Sequence, residues 1–136
     1  AIWLLKRPSR EYKDGENTVG QEYDAWTEEG ILEYYWGEHI HLGYYNDDDR
    51  KAVLNPFKSS KVFKDTKYKF IEEMYKWSGA EEKGKPAKVL DVGCGIGGTS
   101  RYLANMLGSG SEVTGISLSQ NQVDRATELA KERKLD

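Results

Sequence analysis

The chain has 136 residues, the length of one small domain, with 38% hydrophobic and 32% charged residues, as is typical of soluble globular proteins. The formal net charge of −3 provides no basic surface, so we expect no nucleic-acid partner. A single cysteine excludes an internal disulfide bond.

Residues 1–17 are predicted to form an N-terminal flank. The first five residues are apolar and run directly into Lys6, Arg7 and Arg10. This pattern is expected at the end of a longer hydrophobic segment with a basic border, although a local core contact or a chain boundary would produce it too. No stretch has the ~20 apolar residues that cross a bilayer. Peripheral membrane association is expected as one possibility. Because no methionine begins the chain, we expect the natural N-terminus and any targeting peptide to lie outside it.

Residues 18–86 are predicted to form a helical lid and substrate region. Apolar residues at positions 19, 23 and 26 predict a first helix, and residues 31–36 predict a second. Residues 38–45, called the histidine segment below, alternate enough to predict an extended run. A polar turn is predicted at residues 46–49.

A long helix is predicted over residues 56–78. Asn55 suits an N-cap, Pro56 suits the first helical position, and Gly79 suits the C-terminal end. The predicted buried stripe consists of Phe63, Phe70, Met74 and Trp77, widened by Val62, Ile71 and Tyr75. The lysines of this helix are predicted to lie mostly on a solvated face, at positions 58, 61, 64, 67 and 69.

Residues 87–136 predict the order β-α-β-α. Strands are expected at 87–92 and 112–116, with helices at 99–107 and after the N-cap Ser119. This order begins a parallel, doubly wound α/β sheet of the Rossmann-like type. Two strands cannot make a sheet that is buried on both faces. We therefore expect an incomplete domain, with further strands from residues after Asp136 or from a partner.

The run VLDVGCGIGG at residues 89–98 places a glycine-rich turn between a predicted strand and a predicted helix. Gly93, Gly95 and Gly98 fit the G-x-G-x-x-G pattern of dinucleotide sites. Asp91, Gly93, Gly95 and Gly97 fit D-x-G-x-G-x-G, the loop of S-adenosylmethionine-dependent methyltransferases. Residues 93–98 are called the glycine loop below.

The chemistry of the two cofactors favours the second pattern. S-adenosylmethionine carries a carboxylate, an ammonium and a sulfonium, whereas a dinucleotide carries a pyrophosphate that an acid such as Asp91 would repel. Backbone N–H groups at residues 95–99 suit the carboxylate. A structural role for Asp91 stays open, as does an oxidoreductase that binds a nicotinamide. Cys94 is interpreted as a small residue between glycines rather than a reactive thiol. Ser117 stands where an acid often holds the ribose.

An aromatic cluster surrounds the two histidines, His39 and His41. Aromatic faces attract a sulfonium and also form an apolar wall for an apolar ligand, while packing beneath the long helix would use the same residues. We expect the two histidines to point to opposite faces of the extended run, so that only one faces a ligand. Two histidines are too few for a metal site. The cluster consists of Tyr34, Tyr35, Trp36, Tyr44 and Tyr45.

The run at residues 89–98, followed by VTGIS at 113–117, resembles the class I methyltransferases that act on small molecules and lipids. The segment YDAWTEEGILEYYWGEHIHLGYY at residues 23–45 resembles the 2-methyl-6-phytylbenzoquinol methyltransferases of tocopherol and plastoquinone synthesis. It is similar, more loosely, to γ-tocopherol and sarcosine/dimethylglycine methyltransferases. The resemblance covers residues 1–45 and 87–134, and residues 46–60 are longer and more polar than it implies.

This resemblance implies C-methylation of a phytylbenzoquinol with S-adenosylmethionine, at a plastid or photosynthetic membrane. Alternatives are N-methylation of a small amine such as sarcosine, a cytoplasmic location, and an inactive fragment. His41 is implied as a base that deprotonates the quinol, because its Ile-His-Leu-Gly context recurs in these enzymes, although a structural histidine stays open. The oligomeric state is not implied. Substrate or lid residues would be Tyr35, Trp36 and His39, and cofactor-binding residues would be Asp91, Gly93, Cys94, Gly95, Gly97 and Ser117.

Overall fold

The computed structural model describes residues 12–135, and most of the predicted N-terminal flank, including its first five apolar residues and Lys6, Arg7 and Arg10, lies outside this part. Within residues 12–135, four α-helices and a 3-10 turn precede the sheet, and the elements that follow alternate between strand and helix. None of the helices in this part of the chain is long and apolar enough to span a membrane. In chain order the elements are α1 (Thr18–Glu28), α2 (Ile31–Trp36), α3 (Asp47–Val53), α4 (Ser59–Trp77), a 3-10 turn (Ala80–Lys83), β1 (Lys88–Val92), α5 (Gly98–Leu107), β2 (Glu112–Ile116) and α6 (Gln120–Glu132).

The two strands pair in parallel and are joined by α5, with Asp91 opposite Gly115 in the register. Ser119 caps α6, since its hydroxyl accepts a hydrogen bond from the Gln122 N–H at 3.1 Å. The predicted β-α-β-α order is therefore confirmed, with element ends within one residue of the prediction. This arrangement is the beginning of a doubly wound α/β fold.

One face of the sheet is covered and the other is open. The covered face packs against a core formed by Ile71 of α4 with Leu103 and Leu107 of α5. On the open face, Leu90 is 61% exposed and Val92 is 72% exposed. Because parallel strands are normally buried on both faces, the described residues form only one side of such an architecture.

Helix α3 replaces the polar turn that was predicted at residues 46–49, so that prediction is wrong. Asn46 and Asp49 form a capping box, in which each side chain accepts a hydrogen bond from the backbone N–H of the other residue. Three consecutive aspartates then fill the first turn, where acidic groups stabilise the positive end of the helix dipole. Asn46 is therefore an N-cap.

Helix α4 differs from its prediction in its start and in its buried face. It begins at Ser59, because the side chain of Asn55 accepts a hydrogen bond from the Phe57 N–H at 3.0 Å and so caps a preceding turn. Trp77 is 89% exposed, and the fully buried side chains include Thr66 and Lys67. The predicted stripe is thus wrong in part, because α4 packs a polar strip against the histidine segment.

Polar contacts connect the two N-terminal helices, α1 and α2, to α6. The carboxylate of Asp24 in α1 accepts hydrogen bonds from the Ser119 hydroxyl at 2.5 Å and the Asn121 N–H at 3.0 Å. Glu33 in α2 receives two hydrogen bonds from the guanidinium of Arg125, at 3.0 and 2.9 Å. These contacts place the N-terminal helices beside the loops that follow β1 and β2.

Candidate functional site

The glycine loop lies at the carboxyl end of β1, where parallel α/β sheets bind ligands. Gly93 and Gly95 have φ of +80° and +56°, values that disfavour any side chain. A Cβ at either position would meet no atom within 4 Å, so the backbone there is open to close approach. The N–H groups of Gly93 and Cys94 donate to the Ile116 carbonyl, which leaves them unable to serve a ligand.

The rest of the loop packs inward rather than toward this open space. A Cβ on Gly97 would lie 2.8 Å from Nη1 of Arg101 and 3.1 Å from Cβ of Ala126. A Cβ on Gly98 would lie 2.2 Å from the carbonyl oxygen of Glu38, so this glycine allows the histidine segment to cross the start of α5. Gly97, predicted to bind cofactor, therefore lies against α6.

Asp91 joins the end of β1 to the first turn of α5. Its carboxylate accepts a hydrogen bond from the Ser100 hydroxyl at 2.6 Å. It also lines a cavity of about 90 Å³ that lies between the glycine loop and the histidine segment. The structure thus brings two distant parts of the sequence together around one cavity, whose lining includes the predicted site residues His39, His41, Asp91, Gly93, Cys94 and Gly95.

A second cavity, of about 220 Å³, shares Gly93 and Gly95 with the first. Ser117, which is predicted to bind cofactor, lines this cavity, and its hydroxyl donates to the side-chain oxygen of Gln122 at 2.9 Å. Tyr23 and Leu118 line the same cavity but were not predicted as site residues. Tyr23 is the first residue of the segment at residues 23–45 that carries the resemblance. Its place in that segment was the sequence signal that could have identified it as a site residue.

His39 and His41 lie on the same side of the histidine segment, because their ring centroids are 5.4 Å apart. The prediction that they point to opposite faces is wrong, because residues two apart in an extended run lie on the same face. His39 is buried and packs against the ring of Tyr68 at 4.8 Å. Burial, together with the neighbouring His41, lowers the pKa of His39 to about 4, so His39 is neutral at physiological pH.

His41 presents an unpaired nitrogen. Its Nδ1 lies 2.9 Å from the carbonyl oxygen of Leu42, and a carbonyl can only accept, so Nδ1 carries the proton. In the neutral ring, Nε2 then has a free lone pair. This Nε2 atom is buried and has no hydrogen-bond partner within residues 12–135. An unpaired acceptor on a residue that lines the cavity is suited to take a proton from a ligand.

Of the predicted aromatic residues, Tyr35 and Trp36 lie away from this cavity. Tyr35 is exposed and its ring packs edge-on against Tyr34 at 4.9 Å. Trp36 packs against Phe63 at 5.7 Å and lines a separate cavity of about 400 Å³ between α2 and α4. The structure therefore does not bring either side chain to the glycine loop.

Cys94 is half-buried beside β2. A Cβ on Gly115 would lie 2.8 Å from the Cys94 sulfur, so the two residues fit together because both are small. Burial, with a contribution from Asp91, raises the pKa of the Cys94 thiol. The geometry agrees with a packing role rather than a nucleophilic one.

Comparison with known proteins shows that the chain is similar to methyltransferases. Residues 89–136 match the family described as methyltransferase domain. Over 129 residues the chain is 47% identical to the 2-methyl-6-phytyl-1,4-hydroquinone methyltransferase of Synechocystis sp., covering 95% of this chain and 37% of that protein. Over 104 residues it is 42% identical to the chloroplastic tocopherol O-methyltransferase of Arabidopsis thaliana, covering 74% and 28%. Over 120 residues it is 31% identical to the sarcosine/dimethylglycine N-methyltransferase of Halorhodospira halochloris, covering 88% and 38%.

Solved structures share the fold. The [4+2]-cyclase SpnF matches with a TM-score of 0.68 and 27% identity, over 88% of this chain and 39% of that one. A Galdieria sulphuraria protein described as a sarcosine dimethylglycine methyltransferase candidate matches with a TM-score of 0.55 and 23% identity, over 83% and 38%. The predicted resemblance to class I methyltransferases is thus confirmed in sequence and in fold. The chain spans between a quarter and two fifths of the length of these relatives.

Proposed function

We propose that the protein transfers a methyl group from S-adenosylmethionine to a ring carbon of a prenylated hydroquinone. The observation that carries this proposal is the shared cavity in which His39 and His41 face Asp91 and the open backbone of Gly93 and Gly95. The 47% identity to a phytylhydroquinone methyltransferase supports the choice of acceptor.

The residues around the glycine loop fit the methyl donor. The Asp91 carboxylate has acceptor capacity beyond its hydrogen bond from Ser100, which suits an ammonium. The first N–H groups of α5 have no partner inside the helix, which suits a carboxylate. The cavity lined by Tyr23 and Ser117 offers an aromatic ring and a hydroxyl to an adenosine. When bound, the cofactor supplies an electrophilic methyl group on a positively charged sulfur.

The histidines fit the remaining requirements of the reaction. A neutral His39 places no positive charge beside a sulfonium, which a protonated ring would repel. The free Nε2 of His41 can accept the proton of a phenolic hydroxyl, which increases electron density on the ring carbon. General base catalysis of this kind contributes typically 10²–10⁴-fold. Positioning of the acceptor and exclusion of water would contribute further.

The acceptor class also bears on location. A prenylated hydroquinone is lipid-like, and the tocopherol methyltransferases of Arabidopsis thaliana and rice are described as chloroplastic. We therefore place the protein at a plastid or photosynthetic membrane, bound peripherally. A cytoplasmic enzyme remains the alternative for a water-soluble acceptor.

A second candidate acceptor is a small amine, because the chain is 31% identical to a sarcosine/dimethylglycine N-methyltransferase over 88% of its length. The two candidates are separated by incubating the intact protein with S-adenosylmethionine and either 2-methyl-6-phytylhydroquinone or sarcosine, and detecting products by mass spectrometry. We expect the hydroquinone alone to gain one methyl group. Methylation of sarcosine alone would overturn the acceptor, and methylation of neither would overturn the enzyme class.

A further inference from the structure

A lysine is buried in the middle of α4, where the sequence predicted a solvated face. Lys67 is 1% exposed, and its ammonium donates hydrogen bonds to the carbonyl oxygens of Trp36 at 2.6 Å and His39 at 2.7 Å. The ammonium also lies 4.9 Å from the ring of Trp36 and 4.2 Å from the ring of Phe63. Desolvation, with a contribution from Lys64, lowers the pKa of Lys67.

The two carbonyls flank the turn that begins the histidine segment. Trp36 ends α2, Gly37 and Glu38 make the turn, and His39 follows. A single ammonium that binds both ends of this turn fixes its shape. The direction in which His39 leaves the turn, and with it the position of His41, therefore depends on Lys67.

The opposite side of the same turn is held from the glycine loop. The Glu38 carboxylate accepts a hydrogen bond from Arg101 at 2.6 Å, and Arg101 also donates to the carbonyl oxygen of Ile96 in the loop at 2.7 Å. The turn is thus held between α4 and the start of α5. Loss of Lys67 would release one side and leave the other attached.

Packing alone does not explain a lysine at this position. A methionine would fill the same volume without the cost of removing an ammonium from water. Only a multiple donor can fix two carbonyls at once, and each of them accepts a short hydrogen bond here. The ammonium is therefore suited to set geometry rather than to add apolar contact.

We propose that Lys67 is a positioning residue, whose ammonium fixes the turn at residues 37 and 38 and so holds His39 and His41 over the glycine loop. The expected effect of Lys67 on kcat rests on the proposed function, whereas its effect on the shape of the turn does not. The contacts proposed for the donor lie at Asp91, in the glycine loop and beside Ser117, so Lys67 acts on turnover more than on donor binding.

The test compares Lys67→Met with Lys64→Met, a change at an exposed lysine on the same helix. In the intact protein we expect Lys67→Met to lower kcat about 10–100-fold, because small misplacement of a reacting group costs up to about 10²-fold. Calorimetry with S-adenosylhomocysteine should show a donor-site Kd within about threefold of the wild-type value. The NMR signals of the His39 and His41 rings should shift, and Lys67→Arg should restore part of kcat. Lys64→Met should match the wild type in all three measurements.

A purely stabilising lysine would give a different result. Lys67→Met would then melt at a lower temperature but, when assayed well below that temperature, would keep wild-type kcat and wild-type histidine signals. That result overturns the proposal. If Lys67→Met does not fold, Lys67→Gln is measured in the same way, because it keeps one donor group without the charge. The same results then support or overturn the proposal. If the wild type transfers no methyl group, the proposed function fails, while the histidine signals of the variants still decide the role of Lys67.

Discussion

The guanidinium of Arg101 and the carboxylate of Glu38 form a hydrogen-bonded ion pair at 2.6 Å, which joins the helix after the glycine loop to the start of the histidine segment. Arg101 is 4% exposed and also donates to the carbonyl oxygens of Ile96 and Ala126. One side chain thus connects the loop, the histidine segment and α6. The cavity between the two segments depends on this connection.

Glu38 should make stability depend on pH. Partial burial would raise the pKa of Glu38, but the hydrogen bonds and charges of Arg101 and Arg133 outweigh it and hold the pKa below its ordinary value. A carboxyl group with a lowered pKa in the folded state stabilises at neutral pH and loses this effect as pH falls through that pKa. We expect Glu38→Gln to lower the free energy of unfolding by about 1–2 kcal/mol at neutral pH, after allowing for solvent screening.

Urea titrations at neutral and at acidic pH measure this effect. The difference between Glu38→Gln and the wild type should shrink as pH falls below the ordinary range of a glutamate. Glu112→Gln, which removes an exposed ion pair with Lys88 on the strands, should have little effect. An equal loss of stability in the two variants would contradict the assigned importance of the Arg101 pair.

Asp91 should contribute to donor binding through its charge. Asp91→Asn keeps the size of the side chain but removes the negative charge that faces the cavity. Since hydrogen bonds to charged groups contribute about 1.5–3 kcal/mol, we expect S-adenosylhomocysteine to bind roughly 10–100-fold more weakly. Calorimetry measures the change, with Glu112→Gln as a control at an acid of the neighbouring strand. Unchanged affinity would assign Asp91 a structural role only.

Gly95 should be intolerant of a side chain because of the cavity and not only because of its backbone angle. Gly95 and Gly108 both have positive φ, +56° and +77°, and a Cβ on either would meet no atom within 4 Å. Gly95→Val would place its side chain in the space beside the loop and should abolish S-adenosylhomocysteine binding. Gly108→Val carries comparable backbone strain in the turn after α5 and should keep binding. Loss of binding in both variants would point to strain as the cause.

His41 should affect chemistry and not donor binding. Because its Nε2 is unpaired and the residue lines the cavity, we expect His41→Gln to lower kcat by about 10²–10⁴-fold while the Kd for S-adenosylhomocysteine stays unchanged. Added imidazole should restore part of the rate. Steady-state kinetics with the hydroquinone measure both effects. A variant with wild-type kcat would show that another group removes the proton.

The second half of the fold was predictable from sequence because its signals are local. Strand β2 was predicted with its observed bounds, and Ser119 caps α6 as its residue type suggests. The glycines of the loop predict a turn that no other residue makes easily, and Gly93 and Gly95 have the positive φ that this requires.

Features that depend on contacts between distant residues were not predictable. The sequence predicts Lys67 on a solvated face, because a lysine is rarely buried. Nothing nearby in the sequence indicates that its ammonium donates to two carbonyl oxygens. The shared orientation of His39 and His41, in contrast, could have been predicted, because residues two apart in an extended run lie on one face. The hydrogen bonds from Ser119 and Asn121 to Asp24 join residues almost a hundred positions apart.

We propose that the glycine loop and the histidine segment together form a methyl-donor site. Isothermal titration calorimetry of the intact protein with S-adenosylhomocysteine, with NADH titrated in parallel, tests this proposal. We expect saturable binding of one S-adenosylhomocysteine per chain and no comparable binding of NADH. Binding of NADH in its place, or of neither compound, would contradict it.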